Sequence, residues 1–222
     1  MTEVSSLTGR LLVATPVLAD PNFDRAVVLL LDHDGEGSLG VVLNRPTPVD
    51  VSDILEPWAA LAGEPGVVFQ GGPVSLDAAL GVAVVPAAHG SRAVAGGDPA
   101  SGDSGDGRGE GSGPAPEARP GYEGDGPLGW RRVYGAIGLV DLEAPPELLA
   151  AELGSLRIFA GYAGWGPGQL EKELSEGAWY VVESEPGDVS SPAPERLWRS
   201  VLRRQRSELA MVATYPDDAS LN

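Results

Sequence analysis

An acidic segment, Asp32 to Gly37, carries the residue types that bind calcium. Counted as a calcium-binding loop, Asp32, Asp34 and Glu36 fall at positions one, three and five, and Gly37 falls at position six. Position twelve is Leu43 instead of the bidentate glutamate, and the residues that follow the segment, SLGVVL, have the pattern of a strand and not of a helix. We therefore interpret the segment as the solvated polar turn of a β-hairpin.

Nucleophilic catalysis needs a reactive side chain held beside a base, and the sequence offers few candidates. The chain has no cysteine and only two histidines, His33 and His89. Ser75 lacks the surrounding G-x-S-x-G pattern that exposes a nucleophilic serine in α/β-hydrolases. We expect no catalytic residues, no metal site and no cofactor.

The segment GYAGWGPGQ, residues 161–169, places four glycines around Trp165 and raises the question of a nucleotide site. It lacks the G-K-[ST] of a phosphate-binding loop, and its spacing differs from the dinucleotide fingerprint G-x-G-x-x-G. Backbone N–H groups at the start of a helix at Gln169 could hold an anion, but Glu171 and Glu173 would repel it. Close packing of the glycines around Trp165 is the favoured interpretation.

Two polar turns follow predicted strands and could contribute to one ligand cleft. Asn44 and Arg45 end the strand SLGVVLN, and Gly71 and Gly72 follow the strand VVFQ. Proteins often use such strand ends for binding. If both turns converge with the glycine-rich turn, the candidate ligand or partner surface comprises Asn44, Arg45, Gly71, Gly72, Trp165 and Gln169. The alternative is that these turns only terminate strands.

The charge of the chain disfavours nucleic acid as a partner. Its 32 acidic and 15 basic residues give a formal net charge of −17, whereas nucleic-acid affinity depends on neutralising phosphates. The segment 194–206 has five arginines, but its apolar spacing predicts an amphipathic helix with a solvated basic face. We expect an unidentified protein or small-molecule partner, with direct nucleic-acid binding disfavoured.

Neither a membrane span nor a leader peptide is predicted. The chain has no run of about 18 apolar residues, the length needed to cross a bilayer. The first ten residues lack the basic and apolar regions of a signal peptide. Together with the absence of cysteine, these features favour the cytoplasm.

The spacing of apolar residues predicts strands mixed with short helices. The run VVLLL at 27–31 is continuously apolar, which predicts a strand buried on both faces. The predicted strands are Arg10–Thr15, Ala26–Leu31, Ser38–Asn44, Val67–Gln70, Ala79–Val85, Val133–Val140, Leu156–Tyr162 and Trp179–Glu183. The predicted helices are Ser52–Leu61, Pro146–Leu153, Gln169–Ser175 and Pro194–Arg204.

Residues 90–127 differ in composition from the rest of the chain. Of these 38 positions, 12 are glycine and five are proline, and apolar side chains are scarce. Such a segment cannot bury enough apolar area to offset the entropy lost on ordering. We predict a flexible Gly/Pro/Asp-rich insert that interrupts the domain.

Three blocks of the sequence occur in an order that is shared with a known family. They are Phe23–Pro46 (FDRAVVLLLDHDGEGSLGVVLNRP), Phe69–Val74 (FQGGPV) and Arg157–Val182 (RIFAGYAGWGPGQLEKELSEGAWYVV). With these blocks the chain resembles the AlgH/YqgE family of bacterial proteins. The resemblance implies a single α+β domain over residues 1–222, with a branched mixed β-sheet around a small barrel-like core and flanking helices.

The resemblance also gives the first hypothesis for function. One branch of that family is associated with regulation of alginate synthesis, which implies a regulatory role such as transcriptional regulation. The first hypothesis is therefore a non-enzymatic cytoplasmic regulatory or interaction protein. The second is a small-molecule-binding protein, or an enzyme of unrecognised type, that uses a cleft near the glycine-rich turns. Direct DNA binding is a third, which the charge opposes.

Overall fold

Ten strands and several short helices form the part of the chain that the computed structural model describes, residues 6–86 and 126–216. The strands are β1 (Leu11–Ala14), β2 (Val27–Asp34), β3 (Gly37–Val42), β4 (Pro46–Asp50), β5 (Val67–Gln70), β6 (Val74–Val84), β7 (Trp130–Tyr134), β8 (Ile137–Val140), β9 (Ser155–Trp165) and β10 (Trp179–Val182). The α-helices are α1 (Val51–Ile54), α2 (Glu56–Ala59), α3 (Gln169–Ser175), α4 (Pro186–Val189), α5 (Leu197–Arg203) and α6 (Leu209–Val212). The protein is therefore α+β, as expected.

Strand β9 is the centre of a branched sheet. The main path runs β10-β1-β2-β3-β9-β6-β8-β7, and β5 joins β9 as a branch that carries β4 on its other side. The pairings between these strands are antiparallel except that of β5 with β9, where Phe69 lies opposite Phe159. The sheet curls into a half-barrel. The finer description, a small barrel-like core, stays a prediction.

The branch point requires glycine, because backbones approach one another closely there. Gly161 in β9 has a φ of 69°, in the left-handed region. A Cβ on Gly71 would lie 2.3 Å from the carbonyl oxygen of Gly161, and a Cβ on Gly72 would lie 2.2 Å from backbone atoms of Tyr162. The Gly71–Gly72 turn therefore packs directly on β9.

The predicted strands are present with shifted ends, and two predictions need correction. Val133–Val140 is not one strand but the hairpin of β7 and β8, which turns near Gly135 with a φ of 55°. Strand β4 was not predicted, because Pro46 and Pro48 indicate a turn in sequence. It pairs with β5 alone, and proline is tolerated in a strand that has a free edge.

The helix predictions are confirmed in full only for α3. Ser52–Leu61 forms two single turns, α1 and α2, because Leu55 leaves helical geometry just before Pro57. Within Pro146–Leu153 only a 3-10 turn forms, at Pro146–Leu148. Pro194–Arg204 begins as a 3-10 turn at Pro194–Arg196 and continues as α5.

The core lies on both faces of the sheet. Val27 and Leu29 of β2 belong to one buried cluster, and Val28 and Leu30 belong to another. The predicted burial of this strand on both faces is thereby confirmed. Helix α5 packs on the first of these clusters through Leu197, Trp198, Val201 and Leu202.

Two further predictions concern the insert at about 90–127 and the lack of a membrane-spanning segment. The predicted insert at about 90–127 lies outside the described residues except for its last two positions. Within the described ranges, none of the helices is long and apolar enough to cross a bilayer.

Candidate functional site: an arginine pocket

A hollow of about 310 Å³ opens where the end of β3, the turn before β2 and the start of α5 meet. We call it the arginine pocket, because three of its lining residues are arginines. The lining residues are Asp24, Arg25, Asn44, Arg45, Glu195, Trp198 and Arg199. Segments far apart in sequence therefore bring three cationic and two acidic side chains to one place.

Asn44 holds the backbone that presents Arg25 to the pocket. Its Oδ1 accepts a hydrogen bond from the Val27 N–H at 2.9 Å, and its Nδ2 donates to the Arg25 carbonyl at 2.9 Å. Arg25 has a φ of 51°, a left-handed conformation that costs free energy for a residue other than glycine. The buried Asn44 side chain therefore acts as a clamp that stabilises a strained residue at the pocket.

Trp198 lies close to two guanidinium groups of the pocket. Its side chain is buried, and its indole N–H donates to the Ala14 carbonyl at 2.9 Å. The Cζ atom of Arg25 lies 4.8 Å from the centre of a Trp198 ring, and that of Arg199 lies 5.9 Å away. Both distances suit cation–π attraction, which helps to fix the two cations around the pocket.

Arg45 is half-buried and borders two hollows. Burial lowers the pKa of its guanidinium, and the negative charge of Asp24 acts in the opposite direction. The group remains a cation at neutral pH, since arginine is effectively always protonated. Arg45 also donates to the Asp24 carbonyl and lines a second hollow of about 80 Å³, together with Gln70 and Gly72.

The structure thus brings some of the predicted surface residues together. Asn44 and Arg45 line the arginine pocket, and Gly72 meets Arg45 in the small neighbouring hollow. Gly71 serves the fold: its N–H donates to Ala160 and its carbonyl accepts from Val42, both at 2.8 Å. The hydrogen-bonding groups of Asn44 are likewise committed to the backbone, so Asn44 positions its neighbour instead of presenting a free amide.

Trp165 and Gln169 lie in a different environment, which we call the aromatic turn cluster; it comprises Phe23, Trp165, Gln169, Glu173 and Trp179. Glu173 Oε2 accepts the indole N–H of Trp165 at 3.0 Å and that of Trp179 at 2.8 Å. Gln169 donates to Glu173 Oε1 and accepts from the Gly166 N–H, each at 3.0 Å. The ring of Phe23 stacks on Trp165 with centroids 6.2 Å apart. Trp165 lines neither of the two hollows that Arg45 borders.

The acidic segment forms the predicted hairpin with exposed Asp32, Asp34, Gly35 and Glu36, and only His33 departs from the predicted solvated form. Strands β2 and β3 extend to leave a turn of only Gly35 and Glu36, and His33 is buried at 4% exposure. The Nδ1 atom of His33 lies 2.8 Å from Ser38 Oγ. The Asp34 carboxylate accepts from the Glu36 N–H at 2.8 Å, which is turn chemistry. In residues 6–86 and 126–216, no group of three or more His, Cys, Asp or Glu side chains has the geometry to hold a metal ion.

Sequence reasoning missed Arg25, Trp198 and Arg199. Trp198 and Arg199 lie in the predicted amphipathic helix, which forms as α5. The prediction placed the arginines of that helix in solvent, whereas Arg199 lines the pocket. No local signal indicates that the start of α5 faces the end of β3. The one hint in the sequence is that Arg25 and Asn44 fall within the same block of the resemblance, Phe23–Pro46.

Fold and site together define a class: an α+β protein with a branched sheet and a basic pocket beside its central strands. The comparison with known families then gives the particular one. The chain belongs to the AlgH-like family (DUF179), whose model matches residues 11–106 and 122–210. The family expected from the three sequence blocks is thereby confirmed.

Relatives and solved structures agree with that assignment. The chain is 77% identical to a UPF0301 protein of Streptomyces avermitilis over 222 residues, which is 100% of this chain and 98% of the relative. It is 42% identical to a UPF0301 protein of Thermobifida fusca, over 98% and 96% of the two chains. The crystal structure of protein DIP2367 from Corynebacterium diphtheriae superposes with a TM-score of 0.74 at 28% identity, covering 94% of this chain and 92% of that one.

A more distant structure has the same fold. The solution structure of the AlgH protein from Pseudomonas aeruginosa superposes with a TM-score of 0.57, covering 99% of each chain. Its sequence identity of 22% supports the fold alone.

Proposed function

We propose that this protein is a non-enzymatic regulatory or interaction protein of the cytoplasm that binds a small anionic ligand in the arginine pocket. The observation that carries the proposal is the grouping of Arg25, Arg45 and Arg199 around one hollow of about 310 Å³. The chain as a whole has a net charge of −17, whereas the lining of this hollow carries three arginines against two carboxylates, Asp24 and Glu195.

The chemistry of the lining favours a carboxylate or phosphate group on the ligand. Guanidinium groups bind such anions through pairs of charge-assisted hydrogen bonds. The hollow is at the small end of the range for ligand pockets, which suits a metabolite-sized anion better than a large cofactor. Asp24 and Glu195 also line it, and they would select against polyanions such as nucleic acid.

Preorganisation supports a binding role. The clamp from Asn44 holds Arg25 in a strained backbone conformation, and Trp198 lies against both Arg25 and Arg199. Strain that surrounding contacts maintain is commonly found at functional sites. Cations fixed in advance lose less entropy when a ligand arrives.

A binding role fits the lining better than catalysis does. None of the lining residues is a histidine, serine or lysine. The lining therefore does not offer one of these side chains as a nucleophile with a base beside it. Binding and release of the anionic ligand would then control the protein's regulatory or interaction role. Direct DNA binding is opposed by the charge of the chain, and a salt-dependent gel shift with duplex DNA would test that part separately.

The test is a thermal-shift and calorimetric screen of the full chain with phosphate, sulfate, acetate and citrate. We expect at least one anion to raise the melting temperature, and Arg45→Gln to weaken its binding by about tenfold or more, the usual effect of losing a hydrogen bond to a charged group. Arg203→Gln is the matched control, because Arg203 is an exposed arginine of α5 outside the pocket. Absence of any shift, or equal losses in both variants, would refute the proposal.

A further inference from the structure

Two separate segments of the arginine pocket each carry an acid beside a cation. Asp24 precedes Arg25 in the turn before β2, and Glu195 lies about one helical turn before Arg199, in the 3-10 turn that leads into α5. Asp24 and Glu195 are both exposed residues. A ligand that enters the hollow therefore meets charges of both signs.

The arginines of the pocket do not bond to these two carboxylates. Their hydrogen bonds go to main-chain carbonyl groups instead, which belong to Asp24, Ala213, Tyr215 and Pro216. Within residues 6–86 and 126–216, the carboxylates of Asp24 and Glu195 form neither a hydrogen bond nor an ion pair. Both can therefore accept a cationic group from a ligand.

A cation and an anion of the pocket lie near one another at Arg45. Burial lowers the pKa of the Arg45 guanidinium and the charge of Asp24 acts against this, so the two charges are close enough to interact. The guanidinium nevertheless donates to the main-chain carbonyl of Asp24 and leaves its carboxylate unbonded. A ligand whose own ammonium and carboxylate groups are attached to one carbon atom, as in an α-amino acid, can bond to both side chains at once.

The charge balance of the lining favours a ligand with a net negative charge. Three arginines face two carboxylates, which leaves a formal excess of one positive charge. A ligand with two carboxylates and one ammonium group carries the complementary charge and offers a partner to both kinds of side chain. A simple anion would place its charge beside Asp24 and Glu195 without compensation.

We infer that the arginine pocket binds an amino dicarboxylate, an anionic α-amino acid whose ammonium group is recognised by Asp24 and Glu195. This inference rests on the proposed function, since it names the class of ligand for the same site. The guanidinium groups bind the carboxylates of the ligand and supply affinity. Asp24 and Glu195 determine specificity, because they disfavour anions that lack an ammonium group.

The first experiment compares L-glutamate with glutarate, which has the same two carboxylates and no ammonium group. We expect calorimetry on the full chain to show that L-glutamate binds about tenfold or more tightly than glutarate, the usual gain from a hydrogen bond between charged groups. Equal affinities, tighter binding of glutarate, or binding of phosphate without L-glutamate would overturn the inference and leave the proposed function intact. If L-glutamate, glutarate and phosphate all fail to bind, the proposed function fails and the inference fails with it.

The second experiment tests which side chains recognise the ammonium group. Asp24→Asn/Glu195→Gln should weaken L-glutamate binding by about tenfold. Glutarate binding should stay equal or become tighter, because the variant removes two charges that attract an ammonium group and repel a carboxylate. Opposite changes for two ligands of one pocket cannot come from a general loss of structure.

The matched control is Asp53→Asn/Glu56→Gln, which removes two exposed acids of α1 and α2 outside the pocket. It changes the net charge of the chain by the same amount and should leave the preference for L-glutamate over glutarate unchanged. A parallel loss of both ligands in Asp24→Asn/Glu195→Gln, or an unchanged preference, would show that the two acids do not recognise the ligand.

Discussion

The aromatic turn cluster and the arginine pocket both bring a tryptophan together with charged side chains, yet their polar groups are used differently. In the cluster, Glu173 accepts from two indoles and from Gln169, so the charged group is satisfied internally. In the pocket, Arg45 lines a hollow, and burial lowers the pKa of its guanidinium more than the charge of Asp24 raises it.

The difference separates packing from binding. A carboxylate that already has three donors has little to offer to a ligand, whereas a cation beside a hollow can gain a strong partner. The glycine-rich turn, the most distinctive sequence feature, therefore stabilises the fold. The less distinctive Arg25 and Arg45 form the candidate site. The variants below test this distinction, in order of decreasing effect on stability.

Trp165→Ala should have the largest effect on stability, about 3–5 kcal/mol, the usual cost of removing a buried aromatic side chain. Trp165 is only 5% exposed, and its loss also breaks the indole bond to Glu173. Denaturant unfolding measures this change, and phosphate affinity should stay the same. A stability change below about 0.5 kcal/mol, typical of surface positions, would move Trp165 from packing to binding.

Gly161→Ala should cost about 2–4 kcal/mol, because it adds left-handed strain to a steric clash. A Cβ there would lie 2.7 Å from the Val74 carbonyl oxygen and 2.9 Å from that of Gly72. Gly164→Ala is the matched control, since the nearest atom to its Cβ would be 3.7 Å away in the ring of Tyr162. Similar unfolding free energies for the two variants would contradict the close-packed branch point.

Asn44→Ala should lower stability by about 1–3 kcal/mol, because a buried N–H and a carbonyl lose their partner. It should also weaken phosphate binding, since Arg25 loses its clamp. Asn44→Asp keeps the acceptor for Val27 but places a buried carboxylate oxygen against the Arg25 carbonyl, so it should lower stability at least as much as Asn44→Ala and also weaken phosphate binding. Unfolding and calorimetry on the same samples decide this, and unchanged affinity in both variants would remove Asn44 from the site.

Arg45→Gln should have the smallest effect on stability, under about 1 kcal/mol, as for other partly exposed charges. Arg45→Gln should instead weaken phosphate binding, and the remaining affinity should depend much less on salt concentration. Calorimetry at two NaCl concentrations measures both quantities. A variant that unfolds easily yet binds phosphate normally would place Arg45 with the packing residues.

Much of the fold was predictable because local patterns decide it. The continuous apolar run of β2 predicted burial on both faces, and Gln169–Ser175 forms the predicted helix α3. Elements with conflicting signals were mispredicted. Pro46 and Pro48 concealed the edge strand β4, and Gly135 divides a predicted strand into two. For β4 the deciding fact is that one edge of the strand is free, and that depends on the whole fold.

The site was predictable only in fragments. Asn44 and Arg45 were selected because they end a buried strand, and they do line the pocket. Trp165 and Gln169 were selected for an unusual turn, and they lie in the aromatic turn cluster. Chemical distinctiveness in a sequence does not distinguish a residue that a fold needs from one that a ligand needs.

The family, the α+β class, the buried strands and the strong negative charge can all be inferred from the sequence, because they follow from local motifs, periodicity and composition. That Arg25, Arg45 and Arg199 share one hollow with Trp198 can be seen only in the folded structure. The physical reason is separation along the chain: Arg45 and Arg199 are more than 150 positions apart. Only the packing of α5 on the apolar face of the sheet brings them together, and no local propensity encodes that contact.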